Sequence, residues 1–173
     1  MDASPVLTIP PRSLVVLVGA AGSGKSTFAR RHFAETAVIS SDRIRAWLAD
    51  DEADQSVSAP AFEVLHLVAR RRLEAGRVAV VDATSATAAA RAQLVRIARE
   101  VGAPVVAVVL DAPLELCLAN NARRAGRRVE EDVIRAQHDA LTASLPGLRD
   151  EGFDAVFLLR GASEIEAAVV DTR

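Results

Sequence analysis

The chain has 173 residues, of which 50% are hydrophobic and 25% charged, with a formal net charge of −2 and a pI near 5.9. No run approaches the roughly 18 apolar residues of a membrane-spanning helix, and the near-neutral charge argues against a protein that coats nucleic acid through its overall charge. The single cysteine, Cys117, excludes an internal disulfide bond.

The chain begins with Met1 to Pro5, which lack the basic start and apolar centre of a signal peptide, so we expect a cytoplasmic protein with no membrane partner. Short apolar runs follow, each typical of a strand buried on both faces of a parallel sheet. These runs are Leu14 to Val18, Ala37 to Ile39, Val78 to Val81, Val105 to Leu110 and Ala155 to Leu159. Between them, apolar residues at three- and four-residue steps indicate helices. The alternation predicts an α/β three-layer sandwich with a five-stranded, mostly parallel sheet, in one domain over residues 1–173.

The first predicted strand runs directly into Gly19-Ala-Ala-Gly-Ser-Gly-Lys-Ser26, which matches the phosphate-binding pattern G-x-x-x-x-G-K-[ST] and opens a predicted helix. In such a loop, backbone N–H groups converge on phosphate oxygens, the lysine reaches the β- and γ-phosphates, and the serine hydroxyl is offered to Mg²⁺. Lys25 is also the single lysine among 21 basic residues, and a compact ammonium is not interchangeable there with a planar guanidinium. The pattern predicts a P-loop NTPase or kinase-like fold that binds ATP and Mg²⁺. The residues assigned to ATP are Gly22, Ser23, Gly24, Lys25, Ser26 and Thr27.

Asp42 follows the second predicted strand, and the carboxyl ends of parallel strands line the ligand crevice of an open sheet. A carboxylate there can accept the proton of an attacking hydroxyl and hold it in line with the γ-phosphate. Arg45 lies three residues on, close enough along a helix to hold an anionic part of the acceptor. Two other interpretations stay open: Ser41 or Asp42 caps a helix that begins at Arg43, and Arg45 is a surface residue.

Asp82 lies at the tip of the third predicted strand, where a Walker B type carboxylate can hold Mg²⁺ together with Ser26. Capping of the next helix is the alternative, although Thr84 or Thr87 could do this without Asp82. The acidic stretch Asp50 to Asp54 is expected to be a solvated loop.

Four arginines surround Gly126 in the stretch Asn121 to Arg128, after the fourth predicted strand. Arginines on a hinged segment can close over ATP as a lid and neutralise charge that develops on the transferring group. In so arginine-rich a chain, an exposed position without such a role is the competing interpretation for each of them. Cys117 lies at helical spacing from other apolar residues, so we expect a buried, inert thiol.

In their order along the chain, these segments resemble the kinase domain of bacterial polynucleotide kinase-phosphatase, the end-healing component of RNA repair systems, from about Thr8 to Val170. The likeness is carried by Gly19 to Ser26, Val38 to Asp42, Asp50 to Gln55, Ala61 to His66, Val80 to Thr84 and Arg127 to Glu130. Such domains are P-loop kinases that transfer the γ-phosphate of ATP to the 5′-OH end of RNA or DNA. The family's phosphatase and ligase-like domains have no counterpart in this sequence, so we expect an excised domain or a stand-alone kinase, with phosphatase and ligase components as partners.

The resemblance implies a role for each residue on the acceptor side of the site. Asp42 becomes the general base on the 5′-OH, Arg45 contacts a phosphate of the acceptor strand, and Gln55 belongs to the acceptor surface. Lys25 acts on the β- and γ-phosphates.

The resemblance also makes Arg124 and Arg127 residues of a lid over ATP, within about 120–130, and gives Arg124 a catalytic role. At one lid position, Asn120, the family usually carries an arginine. We therefore expect that ATP is held less tightly here, or that Arg123 substitutes from one turn on.

Two other function classes remain open at this stage. A P-loop kinase of a small hydroxyl metabolite, such as gluconate, shikimate, an antibiotic or a nucleotide sugar, would also use a strand-end aspartate, and the near-neutral charge favours it. A nucleotide-binding regulator without transfer chemistry is the third possibility, against which Asp42 argues. Arg45 and the surface around Gln55 separate the first two, because a polynucleotide site needs contacts to more than one nucleotide and an affinity that falls with salt.

Overall fold

The computed structural model describes residues 4–172, so residues 1–3, on which the expectation about a signal peptide partly rests, and residue 173 lie outside this range. The strands are β1 Val6–Ile9, β2 Leu14–Val18, β3 Val38–Ser40, β4 Ala79–Asp82, β5 Val105–Asp111, β6 Ala155–Arg160 and β7 Val169–Thr172. The helices are α1 Lys25–His32, α2 Ser41–Ala49, α3 Ser58–Glu74, α4 Ala88–Glu100, α5 Leu114–Ala122, α6 Glu131–Ser144 and α7 Gly161–Ala167. None of the helices within 4–172 is long and apolar enough to cross a membrane.

Five strands form the main sheet in the order β3-β4-β2-β5-β6, and every neighbouring pair is parallel. Each apolar run identified in the sequence became one of these strands, with ends displaced by no more than one residue. Parallel neighbours need long crossover connections, and helices supply them here. The predicted α/β fold with a five-stranded sheet is therefore confirmed.

The sheet lies between two hydrophobic layers, because successive residues of a strand face opposite sides. In β2, Val16 packs in one core cluster with Leu65 of α3, whereas Val15 packs in the other with Phe28 of α1. All of β2 is fully buried. This burial on both faces explains why the strand reads as a continuous apolar run rather than as an alternating one.

A second, two-stranded sheet was not predicted from the sequence. β1 pairs in parallel with β7, in a register from Val6 opposite Val169 to Ile9 opposite Thr172. In β1 exposed and buried residues alternate, and the side chains of Leu7 and Ile9 enter the core cluster that contains Phe28. A search for continuous apolar runs misses such a segment because only one of its faces is buried.

The parallel arrangement brings three strand ends to one edge of the sheet. β2 leads into the phosphate loop, β3 leads into α2, and Ser40 of β3 is in register with Asp82 of β4. The candidate residues therefore meet at the carboxyl edge of the sheet, which is the usual ligand crevice of open α/β sheets.

Candidate active site

The phosphate loop joins β2 to α1 through two glycines in the left-handed region, Gly22 with φ 84° and Gly24 with φ 98°. At Gly22 a Cβ atom would also lie 2.2 Å from the carbonyl oxygen of Cys117, so the loop packs directly on the backbone of α5. Gly24 precedes α1, and no side chain of the described residues caps that helix end. The free N–H groups at this terminus are suited to bind an anion.

Lys25 starts α1 with a side chain that is only 8% exposed. Its Nζ donates hydrogen bonds to the carbonyl oxygens of Gly19, at 2.7 Å, and Ala20, at 2.9 Å. Burial lowers the pKa of Lys25 from 10.5 to about 8, although the nearby Asp82 carboxylate acts in the opposite direction. A phosphate oxygen would be a stronger, charge-assisted partner than these two neutral carbonyls.

Asp82 is the last residue of β4, is 8% exposed and is hydrogen-bonded through its side chain to Ser26. Burial raises the pKa of its carboxyl group. Asp82 is not the cap of the next helix, since the Thr87 hydroxyl accepts the hydrogen bond from Ala90 N that caps α4. That capping alternative is therefore wrong.

The donor set at Ser26 and Asp82 fits Mg²⁺ bound together with a nucleotide. Among residues 4–172, no three His, Cys, Asp or Glu side chains come together as a metal site. Mg²⁺ typically takes one or two carboxylates and completes its shell with water and phosphate oxygens. A hydroxyl and one carboxylate next to the phosphate loop match that pattern.

Asp42 lies in the first turn of α2 and faces the same cleft as Lys25. The cap of α2 is Ser40, whose hydroxyl accepts a hydrogen bond from Arg43 N at 3.3 Å. The helix begins at Ser41, two residues earlier than the sequence suggested. Neither Ser41 nor Asp42 is the cap, so the Asp42 carboxylate is available for chemistry.

Two guanidinium groups converge on one oxygen of Asp42. Arg45 donates from Nη2 to Oδ1, and Arg127 donates from Nη1 to the same atom at 2.7 Å. Arg45 is 4% exposed, so its interpretation as a surface residue is wrong; burial also lowers its pKa. Of the donors in the described part of the chain, none bonds Oδ2 of Asp42.

Glu52 joins these arginines from the acidic loop that was expected to be merely solvated. Its Oε1 accepts from Arg127 N at 3.0 Å, and its carbonyl oxygen accepts from Arg45 Nε at 2.9 Å. The loop is exposed, but it also contacts the lid, so the expectation was incomplete. Glu52 positions both arginines that hold Asp42.

The predicted lid, about 120–130, contains the irregular segment 123–130 between α5 and α6. Asn121 closes it, since its side-chain amide pairs with both the carbonyl oxygen and the N–H of Val129, at 2.8 and 2.9 Å. Arg124 lines the cleft, whereas Arg123 is exposed and does not. Asn120 donates to the carbonyl oxygen of Gly22 at 2.9 Å. In this arrangement Arg123 does not replace the family's lid arginine, and Asn120 supports the phosphate loop instead.

A cleft of about 390 Å³ brings nearly all predicted site residues together. They are Gly22, Gly24, Lys25, Ser26, Thr27, Asp42, Arg45, Gln55, Asp82, Arg124 and Arg127. Ser23 is the exception: its side chain is buried, and its Oγ has no hydrogen-bond partner within 4–172. A second groove of about 560 Å³ shares Ser26, Ser40, Asp42 and Asp82 with the cleft, so Asp42 lies between two openings.

Sequence reasoning missed several cleft residues. Gln137 of α6 lines the cleft and accepts a hydrogen bond from Ala21 N of the phosphate loop at 2.9 Å. Ser58 and Phe62 of α3 line the opposite side, next to Gln55. Nothing in the local sequence marks Gln137, because its partner lies 116 residues away.

Comparisons of the sequence with known proteins identify a family and a curated relative. The family model AAA_33, described as an AAA domain, matches residues 14–148. An adenylyl-sulfate kinase of Myxococcus xanthus is 30% identical over 119 residues, which is 62% of this chain and 62% of that protein.

Solved structures share the fold at lower identity. A chain of the Pnkp1/Rnl/Hen1 RNA repair complex is 21% identical and has a TM-score of 0.69 over 86% of this chain, which corresponds to only 47% of its own length. The APS kinase CysC of Mycobacterium tuberculosis, in complex with AMPPNP and APS, is 21% identical and has a TM-score of 0.56 over 92% of this chain and 95% of that chain. Since the AAA_33 match covers most of the sequence and includes the phosphate loop, Asp42, Asp82 and segment 123–130, the chain belongs to the AAA_33 family of AAA domains.

Proposed function

We propose that this P-loop kinase domain transfers the γ-phosphate of ATP to the 5′-OH end of RNA or DNA during nucleic-acid repair. The observation that carries the proposal is the buried Arg45 beside Asp42, in one cleft with Gln55 and the phosphate loop. A carboxylate that faces the phosphate loop and is held by a buried cation suits an acceptor that carries both a hydroxyl and a phosphate.

The residues of the cleft divide the chemistry among them. ATP would supply the phosphoryl group, and Ser26 and Asp82 would hold Mg²⁺, which would supply positive charge to the phosphate oxygens. Lys25 leaves the carbonyls of Gly19 and Ala20 and binds phosphate oxygens. Oδ2 of Asp42 accepts the proton of the attacking hydroxyl and orients that group.

The lid arginines complete the proposed site. Arg124 lines the cleft, and Arg127 reaches Asp42 from the other side of the cleft. Both can neutralise negative charge that develops on the transferring group, which is the role of cationic clamps in phosphoryl transfer.

The fold likeness to a chain of an RNA repair complex supports a polynucleotide acceptor. On this basis we extend the proposal to partners: the chain works with other end-repair components, among them a phosphatase and a ligase. The cytoplasmic location expected from the sequence is part of the same proposal.

A second candidate function is supported by the curated relative, an adenylyl-sulfate kinase. Its acceptor, adenylyl sulfate, is an anionic nucleotide with free hydroxyl groups, so Asp42 and Arg45 would serve it in the same way. The two candidates differ in the number of nucleotides bound, and therefore in salt dependence, because contacts to several phosphates release several counterions.

Transfer of label from ATP labelled at its γ-phosphate tests the proposal directly. The acceptors are a short 5′-OH RNA, the matching DNA, the same strands with a 5′-phosphate, and adenylyl sulfate. We expect label on the 5′-OH strands alone, and turnover lowered by about 10²- to 10⁴-fold in Asp42→Ala, the scale for a lost general base. Asp139→Ala, on an exposed position of α6, is the matched control.

The other possible results of this experiment each contradict a part of the proposal. Label on adenylyl sulfate alone replaces the polynucleotide acceptor with the second candidate. ATP binding without a labelled product from any acceptor contradicts both and supports a regulator. Wild-type turnover in Asp42→Ala contradicts the mechanism whatever the acceptor.

A further inference from the structure

A fully buried arginine on α4 takes no part in the chemistry described so far. Arg91 has no exposed surface, and its guanidinium donates four hydrogen bonds. Nε and Nη2 each reach one carboxylate oxygen of Glu151 at 2.6 Å. Nη1 reaches the carbonyl oxygens of Ser85 and Ala86, both at 2.8 Å.

The two carbonyls belong to a wall of the cleft. The segment 83–87 connects β4 to α4, begins directly after Asp82, and contributes four residues to the cleft lining: Ala83, Thr84, Ala86 and Thr87. Its last residue is tied to α4, since the Thr87 carbonyl oxygen accepts from Arg91 N at 3.3 Å and the Thr87 hydroxyl accepts from Ala90 N, whereas 83–86 lie outside the strand and the helix. Arg91 therefore holds the backbone of this wall from behind.

A buried ion pair is weak evidence for stability, because removing two charges from water costs about as much as their attraction returns. A hydrophobic pair of similar volume would often be equally stable. The geometry of Arg91 suggests a different role, since it links Glu151, 60 residues further along the chain from Arg91, to two specific carbonyls.

We propose that Arg91 is a positioning residue for the phosphate acceptor, acting through the 83–87 wall. The inference rests on the proposed function, in that it requires a kinase acceptor in this cleft. ATP is the less suitable ligand for the wall. The residues assigned to ATP lie in the phosphate loop and the lid, and Arg91 makes no hydrogen bond to either segment. Thr84 and Thr87 line the same cleft as Asp42 and Gln55, the residues proposed for the acceptor.

Four variants separate positioning from stability. Arg91→Met removes the donors and leaves Glu151 unpaired, whereas Arg91→Met/Glu151→Met removes both charges. Arg91→Lys keeps the charge but loses the forked donors. Arg99→Met is the matched control, since Arg99 also joins α4 to the turn before β6, through Asp154 at 3.0 Å and Gly152 O at 2.7 Å, and makes no hydrogen bond to the wall.

Steady-state kinetics with a 5′-OH RNA acceptor and thermal unfolding give the decisive pair of measurements. In Arg91→Met we expect a lower Tm and an acceptor KM raised by roughly ten- to a hundredfold, the scale of a displacement of about 1 Å in a positioned site. In the double variant Tm recovers while the acceptor KM stays raised. KM for ATP is unchanged throughout, and Arg99→Met leaves the acceptor KM unchanged.

A double variant with both Tm and acceptor KM like the wild type would overturn the inference, as would an equal rise of KM in Arg99→Met. If both Met variants fail to fold, Arg91→Lys decides: a raised acceptor KM supports positioning, and an unchanged one contradicts it.

Hydrogen exchange distinguishes failure of this inference from failure of the proposed function. If the wild type labels no RNA or DNA end, the polynucleotide acceptor is wrong, and the kinetics are repeated with adenylyl sulfate. Amide exchange of segment 83–87 needs no acceptor at all. It should accelerate in Arg91→Met and in the double variant but not in Arg99→Met, and unchanged exchange in the double variant contradicts the role of Arg91.

Discussion

Lys25 shows how burial changes the chemistry of a single residue. Its ammonium bonds two backbone carbonyls of the phosphate loop, and its pKa is lowered by burial to about 8. The sequence identified Lys25 from its pattern and from its rarity, but the lowered pKa follows only from the enclosure of the side chain.

ATP binding should therefore depend on pH near 8. Below this pH Lys25 is charged in the free protein; above it, Lys25 loses its proton and must take one up again when phosphate binds. The Kd for ATP should rise by up to about tenfold per pH unit above the pKa of about 8, with proton uptake visible by calorimetry in buffers of different ionisation enthalpy.

Lys25→Arg is the control for this pH dependence, since a guanidinium stays charged in that range. Its ATP binding should be weaker overall and flat between pH 7 and 9. An equally steep pH profile in Lys25→Arg would mean that another group is responsible.

The predicted lid is held in place partly by contacts to other parts of the chain. Segment 123–130 has no regular structure, and it is held by Asn121 to Val129 within the lid and by Arg127 to Asp42 and Glu52 across the cleft. A loop fixed by so few polar contacts can open at low cost, which suits a lid that must admit ATP.

Asn121→Ala should loosen the lid without unfolding the domain. The substitution removes two hydrogen bonds, each of which contributes about 1 kcal/mol to stability. We expect a higher KM for ATP, a lower kcat and faster tryptic cleavage within 123–130, which is rich in arginine. Thr142→Ala, at an exposed position of α6, is the control. Wild-type cleavage and KM in Asn121→Ala would show that the hydrogen bonds between Asn121 and Val129 do not hold the lid.

At the scale of the whole molecule, β1 and β7 bring the two ends of the described chain together. The pair closes over the core cluster that contains Val15, and Ile9 is fully buried there, whereas Val6 on the alternate face is exposed. This small sheet lies away from the cleft, so its contribution is to stability rather than to chemistry.

Ile9→Ala should lower the free energy of unfolding by about 2 to 5 kcal/mol, the range for truncating a buried large aliphatic side chain. Val6→Ala, at the exposed position of the same strand, should change it by no more than about 0.5 kcal/mol. Urea denaturation measures both, and equal effects would mean that β1 does not pack as described. Neither change should affect KM for ATP.

Most of the main sheet and the outline of the site could be predicted from the sequence, because their signals are local. The continuous apolar runs marked the five strands of the main sheet, and the phosphate loop is a contiguous pattern of glycines, lysine and serine. Asp42 and Asp82 were selected because each lies at the end of an apolar run, and parallel strands place their carboxyl ends at one edge of the sheet. The positions of such runs can be read directly from the sequence.

The partners of these residues were decided by the tertiary structure alone. Arg127 reaches Asp42 from 85 residues away, Gln137 reaches Ala21 from 116, and Arg91 reaches Glu151 from 60. Such pairs leave no periodic or contiguous trace, because a hydrogen bond depends on distance in space and not on separation along the chain. The sequence by itself therefore determined the fold class and the position of the phosphate loop, whereas packing of segment 123–130, the acidic loop and α4 decided how Asp42 is held and how the walls of the cleft are positioned.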